Sequence, residues 1–261
     1  MKTFNYHVAK DSKEASKLSS SNSAFLAGGM TSIPSLKLGL ATYKDIIDIK
    51  HIKKLSGIKV SNKTVTIGAT TKHAEVASSK EVQKAIPSLA KLAGGIGDAQ
   101  VRNRGTVGGS IANNDPSACY PSACMALNAI IHTNERKIEA SKFFKGMFET
   151  ALKNGELIES VEFEIPEKSS YQKYPNPASR YAVVGVYVAK HKSGVNVAVT
   201  GAKPCVYNDK DLAKALESSF SSNSISEIEV NSSDMNSDIH ASADYRANLV
   251  VIQAKKAVEA C

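Results

Sequence analysis

Two glycine-rich segments, far apart in the chain, constrain this sequence more than any other feature. The first is Ala27-Gly28-Gly29-Met30-Thr31, which follows the short apolar run Ala24 to Leu26. The second is Thr106-Val107-Gly108-Gly109-Ser110, inside the longer stretch from Ile96 to Pro116. Neither has the G-x-G-x-x-G dinucleotide spacing, and neither ends in the Gly-Lys-Ser/Thr of a P-loop. Each pairs backbone free of side chains with a hydroxyl residue. That combination lets peptide N–H groups approach a phosphate oxygen. Two such loops can hold the two phosphates of one dinucleotide. Two tight turns whose glycines only solve local geometry remain the competing reading.

The other candidate groups cluster around the second segment. Arg102 and Arg104 flank Asn103, and an extended backbone would send both to one side, toward phosphate or an acidic partner. Two solvated side chains explain them equally well. Asn113, Asn114 and Asp115 can donate and accept around a polyol, or form an Asx turn into Pro116. The six histidines are scattered, with no H-E-x-x-H, and no G-x-S-x-G elbow is present. A chain with dinucleotide-like loops and no acid–base machinery suits redox chemistry, where a cofactor supplies the reactivity.

Composition narrows the class. The chain has 261 residues, 42% hydrophobic and 22% charged, which is enough for two or three small domains with cores. The net charge is +8, but the lysines are dispersed and no basic stripe carries interleaved aromatics. Nucleic-acid binding would therefore rest on charge alone. An acidic partner or a polyanionic cofactor accounts for part of the charge. The start, Met1 to His7, has no apolar signal region, and the stretch Ser117 to Ile131 is broken by Pro121 and Asn128. A cytoplasmic protein without a membrane span is expected. Cys119, Cys124, Cys205 and Cys261 match no zinc or iron–sulfur spacing and are read as free thiols.

Periodicity predicts three units. Residues 1–52 read as strand (Phe4 to Val8), helix (capped by Asp11 or Ser12), and strand (Ala24 to Ala27) running into the first glycine turn. Residues 53–166 alternate short strands with helices and close on the alternating strand Gly155 to Phe163. Pro166 to Ser170 reads as a linker. Residues 171–261 offer a hairpin around Lys192-Ser193-Gly194, a helix from Asn208 or Asp209, and a long helix from Ala243 to Ala260. The apolar positions of that last helix fall at Tyr245, Leu249 and Ile252, and at Val251, Ala254 and Val258.

These motifs together resemble the FAD-binding medium subunit of molybdenum hydroxylases, the group that includes aerobic carbon monoxide dehydrogenase and the xanthine dehydrogenases. The two glycine segments match the family's paired flavin motifs. Phe143-Phe144-Lys145-Gly146, Gly155-Glu156-Leu157-Ile158, Pro177 to Gly185 and Ser237 to Arg246 extend the match over essentially the whole chain.

The resemblance implies an α+β fold of the vanillyl-alcohol-oxidase (PCMH) type. Two α/β flavin subdomains, 1–52 and 53–166, precede a C-terminal domain, 171–261, with a three-stranded antiparallel sheet and helices. It implies non-covalent FAD. The backbone of Ala27, Gly28, Gly29, Met30 and Thr31, and of Thr106, Val107, Gly108, Gly109 and Ser110, would grip the pyrophosphate. Lys37, in the continuation of the first motif, belongs to the same cofactor-binding set. Asn113 and Asp115 would meet ribityl or ribose hydroxyls, Ile158 would line the adenine or ring pocket, and Tyr181 would lie near the isoalloxazine. No catalytic or metal residue is expected on this chain.

The molybdenum cofactor and [2Fe–2S] clusters would sit on large and small partner subunits, assembled as a dimer of heterotrimers. Electrons would leave for a quinone or NAD+. A stand-alone flavin oxidase or reductase of the same fold is the alternative. Met30 and Cys119 depart from the family, where many relatives carry His or Thr at the first position and Asp at the second.

Overall fold

In the computed structural model, residues 2–261 are described. Met1, the first residue of the expected unit 1–52, lies outside the described residues.

The chain opens with β1 (Asn5–Val8), α1 (Ser12–Leu18), β2 (Ser23–Leu26), α2 (Ser32–Lys37) and β3 (Asp45–Asp48). Asp11 caps α1 through its side chain, which accepts from Glu14 N. The two expected strands form but are not neighbours. β3 lies between them and pairs in parallel with both, Asp48 standing opposite Val8 and Leu26. Its Ile46-Ile47 pair is buried on both faces, as a central parallel strand requires.

A second sheet follows. It is built from β4 (Ile58–Val60) and β5 (Thr64–Gly68), then helices α3 (His73–Ser78), α4 (Lys80–Ala85), α5 (Pro87–Gly94), α6 (Ala99–Arg102), α7 (Val107–Asn113) and α8 (Tyr120–Ala126). Next come β6 (Ile130–Thr133), β7 (Lys137–Glu139), α9 (Ala140–Phe143), the small hairpin β8 (Phe144–Gly146) and β9 (Glu149–Thr150), and β10 (Ile158–Glu164). The sheet is antiparallel, in the order β4-β5-β10-β6-β7. Val65, Ile67, Val161 and Phe163 alternate into a core with helix residues such as Leu89, Leu92 and Ile111, and with Leu127 just past α8.

The third sheet is a meander of β11 (Lys168–Pro175), β12 (Ala182–His191), β13 (Gly194–Thr200) and β14 (Tyr207–Asn208), followed by α10 (Lys210–Ser218) and α11 (Ala243–Glu259). Residues 182–189 of β12 are all buried. The period of two explains how. Val184, Val186 and Val188 face the core made with α10 and α11, while Tyr187 and Ala189 face the core of the second sheet and its helices. The Tyr187 hydroxyl reaches Ser88 at the start of α5, 2.6 Å away. One strand thus joins the two cores.

The structure corrects several expectations. The expected linker 166–170 is the start of a strand: Lys168 already pairs with Lys190, since β12 is long enough to need that partner. The three long strands of the third sheet gain a short fourth, β14. Arg102 is not extended but helical, because Asp98 Oδ1 accepts from Val101 N at 2.8 Å and caps α6. Helix α11 buries Arg246, Leu249, Val250, Gln253, Ala254 and Ala257, while Tyr245 is exposed. The buried stripe is displaced by one residue from the apolar pattern at its start.

Candidate functional site

The first glycine segment leaves β2 and turns into α2. The N–H groups of Gly28, Gly29, Met30, Thr31 and Ser32 have no partner among the described residues. Five successive unpaired amides on a partly exposed turn are a cradle for an oxygen-rich ligand. Gly28 is required for a different reason. A Cβ there would stand 2.1 Å from the Arg104 carbonyl oxygen. The first segment is therefore pressed against the residues just before the second.

The second segment is a helix start rather than a loop. Thr106 caps α7, its hydroxyl accepting from Gly109 N at 3.2 Å. Val107 N and Gly108 N donate to the carbonyls of Thr71 and Ala69, and Ser110 N to that of Thr106. A Cβ on Gly108 would lie 2.5 Å from Ala69 Cβ. This corrects the expectation that the amides of both segments face a ligand, since those of 107–110 are spent on neighbouring backbone and on the cap. What the second segment offers is the Thr106 and Ser110 hydroxyls.

Both segments line one cleft of about 500 Å³, within the range of small-molecule and cofactor sites. Ala27 to Thr31, Thr106, Gly109, Ser110, Asn113, Asp115 and Tyr181 all line it. Four expected contacts do not. Val107 and Gly108 are buried beneath the α7 start, Lys37 is exposed at the end of α2, and Ile158 is packed in the core of the second sheet. Ile158 is 4% exposed because it opens the central strand β10, which is covered by helices.

Asp115 forms the Asx turn into Pro116, accepting from Ser117 N at 2.9 Å. Burial pushes its carboxyl above the ordinary carboxylate range, against the effect of that bond. Asn114 is buried and left-handed (φ 43°), and its amide nitrogen donates to the carbonyls of Gly146 and Glu149. It pins the β8–β9 hairpin and is not a cleft group.

The far wall is the turn between β11 and β12. Asn176 N donates to the Tyr181 carbonyl and Arg180 N to the Asn176 carbonyl, both at 2.8 Å. Lys173 Nζ holds this turn in place, donating to Arg180 O (2.9 Å) and Gly95 O (2.8 Å), and lies 3.6 Å from Cys119 Sγ. Tyr181 is 45% exposed at the cleft. Burial of its hydroxyl end, then the charges of Asp115 and Cys119, raise its pKa.

His73 also lines the cleft, and sequence reasoning gave it no role. It is 4% exposed, its ring centroid lies 5.3 Å from that of Tyr120, and its Nδ1 has no partner. Burial, with Arg102 nearby, pulls its pKa down from 6.5 to about 4, so it is neutral at pH 7. Nothing in the local sequence marks it. It becomes a cleft residue only because Gly105 packs on its ring.

Comparison with known proteins decides the family. The FAD binding domain of molybdopterin dehydrogenases matches residues 2–168. This chain belongs to that family. Its similarity to the carbon monoxide dehydrogenase medium chain of Hydrogenophaga pseudoflava is 31% identity, covering 98% of this chain and 96% of the relative. The glyceraldehyde dehydrogenase medium chain of Sulfolobus acidocaldarius is 37% identical over 71% of this chain and 69% of its own length. The solved structure of the Hydrogenophaga pseudoflava carbon monoxide dehydrogenase that lacks the Mo-pyranopterin moiety superposes with a TM-score of 0.89, at 30% identity, covering 99% of this chain and 97% of that one. The chain is thus an FAD-binding medium subunit of the molybdenum hydroxylase type, with the α+β, PCMH-type fold. No helix among the described residues is long and apolar enough to cross a membrane. The cleft fits FAD on its own evidence: unpaired amides and hydroxyls from adjoining segments line one cavity of cofactor size.

Proposed function

We propose that this chain carries electrons within a molybdenum hydroxylase complex, taking them from the [2Fe–2S] clusters of a small partner subunit and passing them to a quinone or NAD+. The unpaired amides of Gly28 to Ser32, lining the same cleft as the Thr106 and Ser110 hydroxyls, carry this reading. Those amides would donate to the diphosphate oxygens of FAD, and the two hydroxyls would add donors beside them. Asn113 and Asp115 meet the ribityl or ribose hydroxyls. Tyr181 and its turn close the outer side and keep water from the ring end of the cleft. Bound FAD supplies a ring that exchanges electrons singly or in pairs. Lys37 and Ile158 act at a distance, Lys37 on the end of α2 and Ile158 by supporting the core beneath.

The same proposal assigns the flavin to subdomains 1–52 and 53–166 and partner contacts in part to 171–261. It places the molybdenum cofactor on a large subunit, in a cytoplasmic dimer of heterotrimers. A free-standing oxidase would need a substrate acid or base at the cleft. His73 is buried and, with its pKa pulled down to about 4, a weak base, and Asp115 is held in its own turn.

The test is reconstitution. Purified chain loaded with FAD, mixed anaerobically with a pre-reduced [2Fe–2S] small subunit of the molybdenum hydroxylase type from the same source, should form a stable complex and lose its visible flavin absorbance. Stable flavin absorbance despite complex formation, or no complex at all, would overturn the proposal.

A further inference from the structure

The imidazole of His73 lines the cleft and has no task in the function proposed above. Its backbone is tied to the second glycine segment. His73 N donates to the Gly105 carbonyl at 3.0 Å, and Lys72 bridges to Thr106. The tilted Tyr120 ring packs beside the imidazole, and the residue is 4% exposed.

The two ring nitrogens differ. Nδ1 is sealed from solvent and has no hydrogen-bond partner among the described residues. Nε2 makes no hydrogen bond there either, yet it keeps accessible surface. Gly105 is the reason. A Cβ at that position would stand 2.6 Å from Nε2 and 2.9 Å from Cδ2, so any other residue would cover this edge of the ring. Gly105 itself lines the cleft. The edge that carries Nε2 is therefore the one that opens to it.

A neutral imidazole carries one proton. Burial, then the charge of Arg102, keep His73 neutral at pH 7. On Nδ1 the proton would be a sealed donor without an acceptor. On Nε2 it meets a space that a ligand fills. Buried N–H groups are seldom left unpaired, so the surroundings favour the second tautomer. His73 then offers the cleft a donor that brings no charge.

Its place in the fold says what accepts. Gly105 stands between Arg104, whose carbonyl oxygen abuts Gly28, and Thr106, whose hydroxyl lines the cleft. The donor sits where the two glycine segments meet, beside the unpaired amides that gather for an oxygen-rich ligand.

We propose that His73 binds the cofactor, its Nε2–H donating to a diphosphate oxygen of FAD at the junction of the two glycine segments. The proposal rests on the FAD reading above.

The experiment uses the full chain stripped of flavin and titrated with FAD by fluorescence. Side-chain amides separate the two ring nitrogens: Gln places an N–H near the position of Nε2, and Asn near that of Nδ1. His73→Asn should raise the Kd for FAD about tenfold or more, the loss expected for one hydrogen bond to a charged acceptor. His73→Gln should restore it to within about threefold of wild type. ADP shares the diphosphate and lacks the flavin ring, so in competition it should lose affinity for His73→Asn by the same factor. Imidazole NMR of isotope-labelled wild type gives a readout that packing against Tyr120 does not set. It should show the Nε2–H tautomer before FAD is added and a downfield shift of that proton afterwards. An Nδ1–H tautomer, a Kd equal in wild type and both variants, or an equal loss in both variants would overturn the contact while FAD binding stands. A loss for FAD with ADP unchanged would place the contact away from the diphosphate and overturn it as stated. If the variants do not fold, the wild-type tautomer and the proton shift decide alone. A wild-type chain that binds no FAD overturns both readings.

Discussion

Gly28 has no room for a methyl group, since the Arg104 carbonyl oxygen occupies the place a Cβ would take. Gly28→Ala must push the two halves of the cleft apart. We expect a loss of about 2 kcal/mol in stability, in the range of overpacked sites, with FAD affinity lowered roughly tenfold. Urea unfolding and flavin fluorescence titration measure the two effects. A second residue-scale prediction concerns acid stability. Glu156 is buried, and burial alone would raise its pKa. Bonds from Arg136 Nε (2.9 Å), Lys153 N (2.9 Å) and the Thr133 hydroxyl (2.8 Å) outweigh that and bring the carboxyl from 4.5 down to about 2. The unfolded chain then binds the proton more tightly than the native one. The stabilisation, about 3 kcal/mol, is full above pH 4.5 and drains away as pH falls toward 2. Unfolding free energies measured across this window should show that slope in the wild type and lose it in Glu156→Gln.

At the scale of elements, α7 joins fold to site. The Thr106 hydroxyl caps the helix and also faces the cleft, while the Ser110 hydroxyl makes no hydrogen bond within the described residues. Thr106→Val should therefore lower both stability, by about 1 kcal/mol, and FAD affinity. Ser110→Ala should lower affinity alone, with stability within about 0.5 kcal/mol of wild type. Equal behaviour of the two variants in unfolding and titration would contradict this division. The same elements show what sequence can and cannot reveal. The apolar run of β12 and the glycine turn after β2 were legible, because periodicity and residue type are local signals. The destination of the α7 amides was not, since the carbonyls of Ala69 and Thr71 arrive from another part of the chain. Apolar spacing assigned Tyr245 to the buried face of α11, whereas Arg246 is buried because tertiary contacts bring it two carbonyls and a carboxylate. Asp98, a capping residue before α6, was a readable signal that the run of glycines hid.

For the whole molecule, the central claim is a chain organised around one flavin nucleotide, with β12 fusing the C-terminal core to the core beneath the cleft. Motifs distributed along the sequence made the family legible, while the far wall of the cleft required the turn between β11 and β12 to fold over it. A ligand gripped this way stabilises the native state by mass action, about 2.7 kcal/mol at a hundredfold excess over Kd. Added FAD should raise the unfolding midpoint accordingly, and ADP alone should do so only in part. The most direct test is to denature the purified full chain with acid, remove the precipitate, and identify the flavin in the supernatant. The account predicts FAD, released intact and stoichiometric with the chain. A colourless supernatant, or flavin left on the precipitated protein, would contradict it.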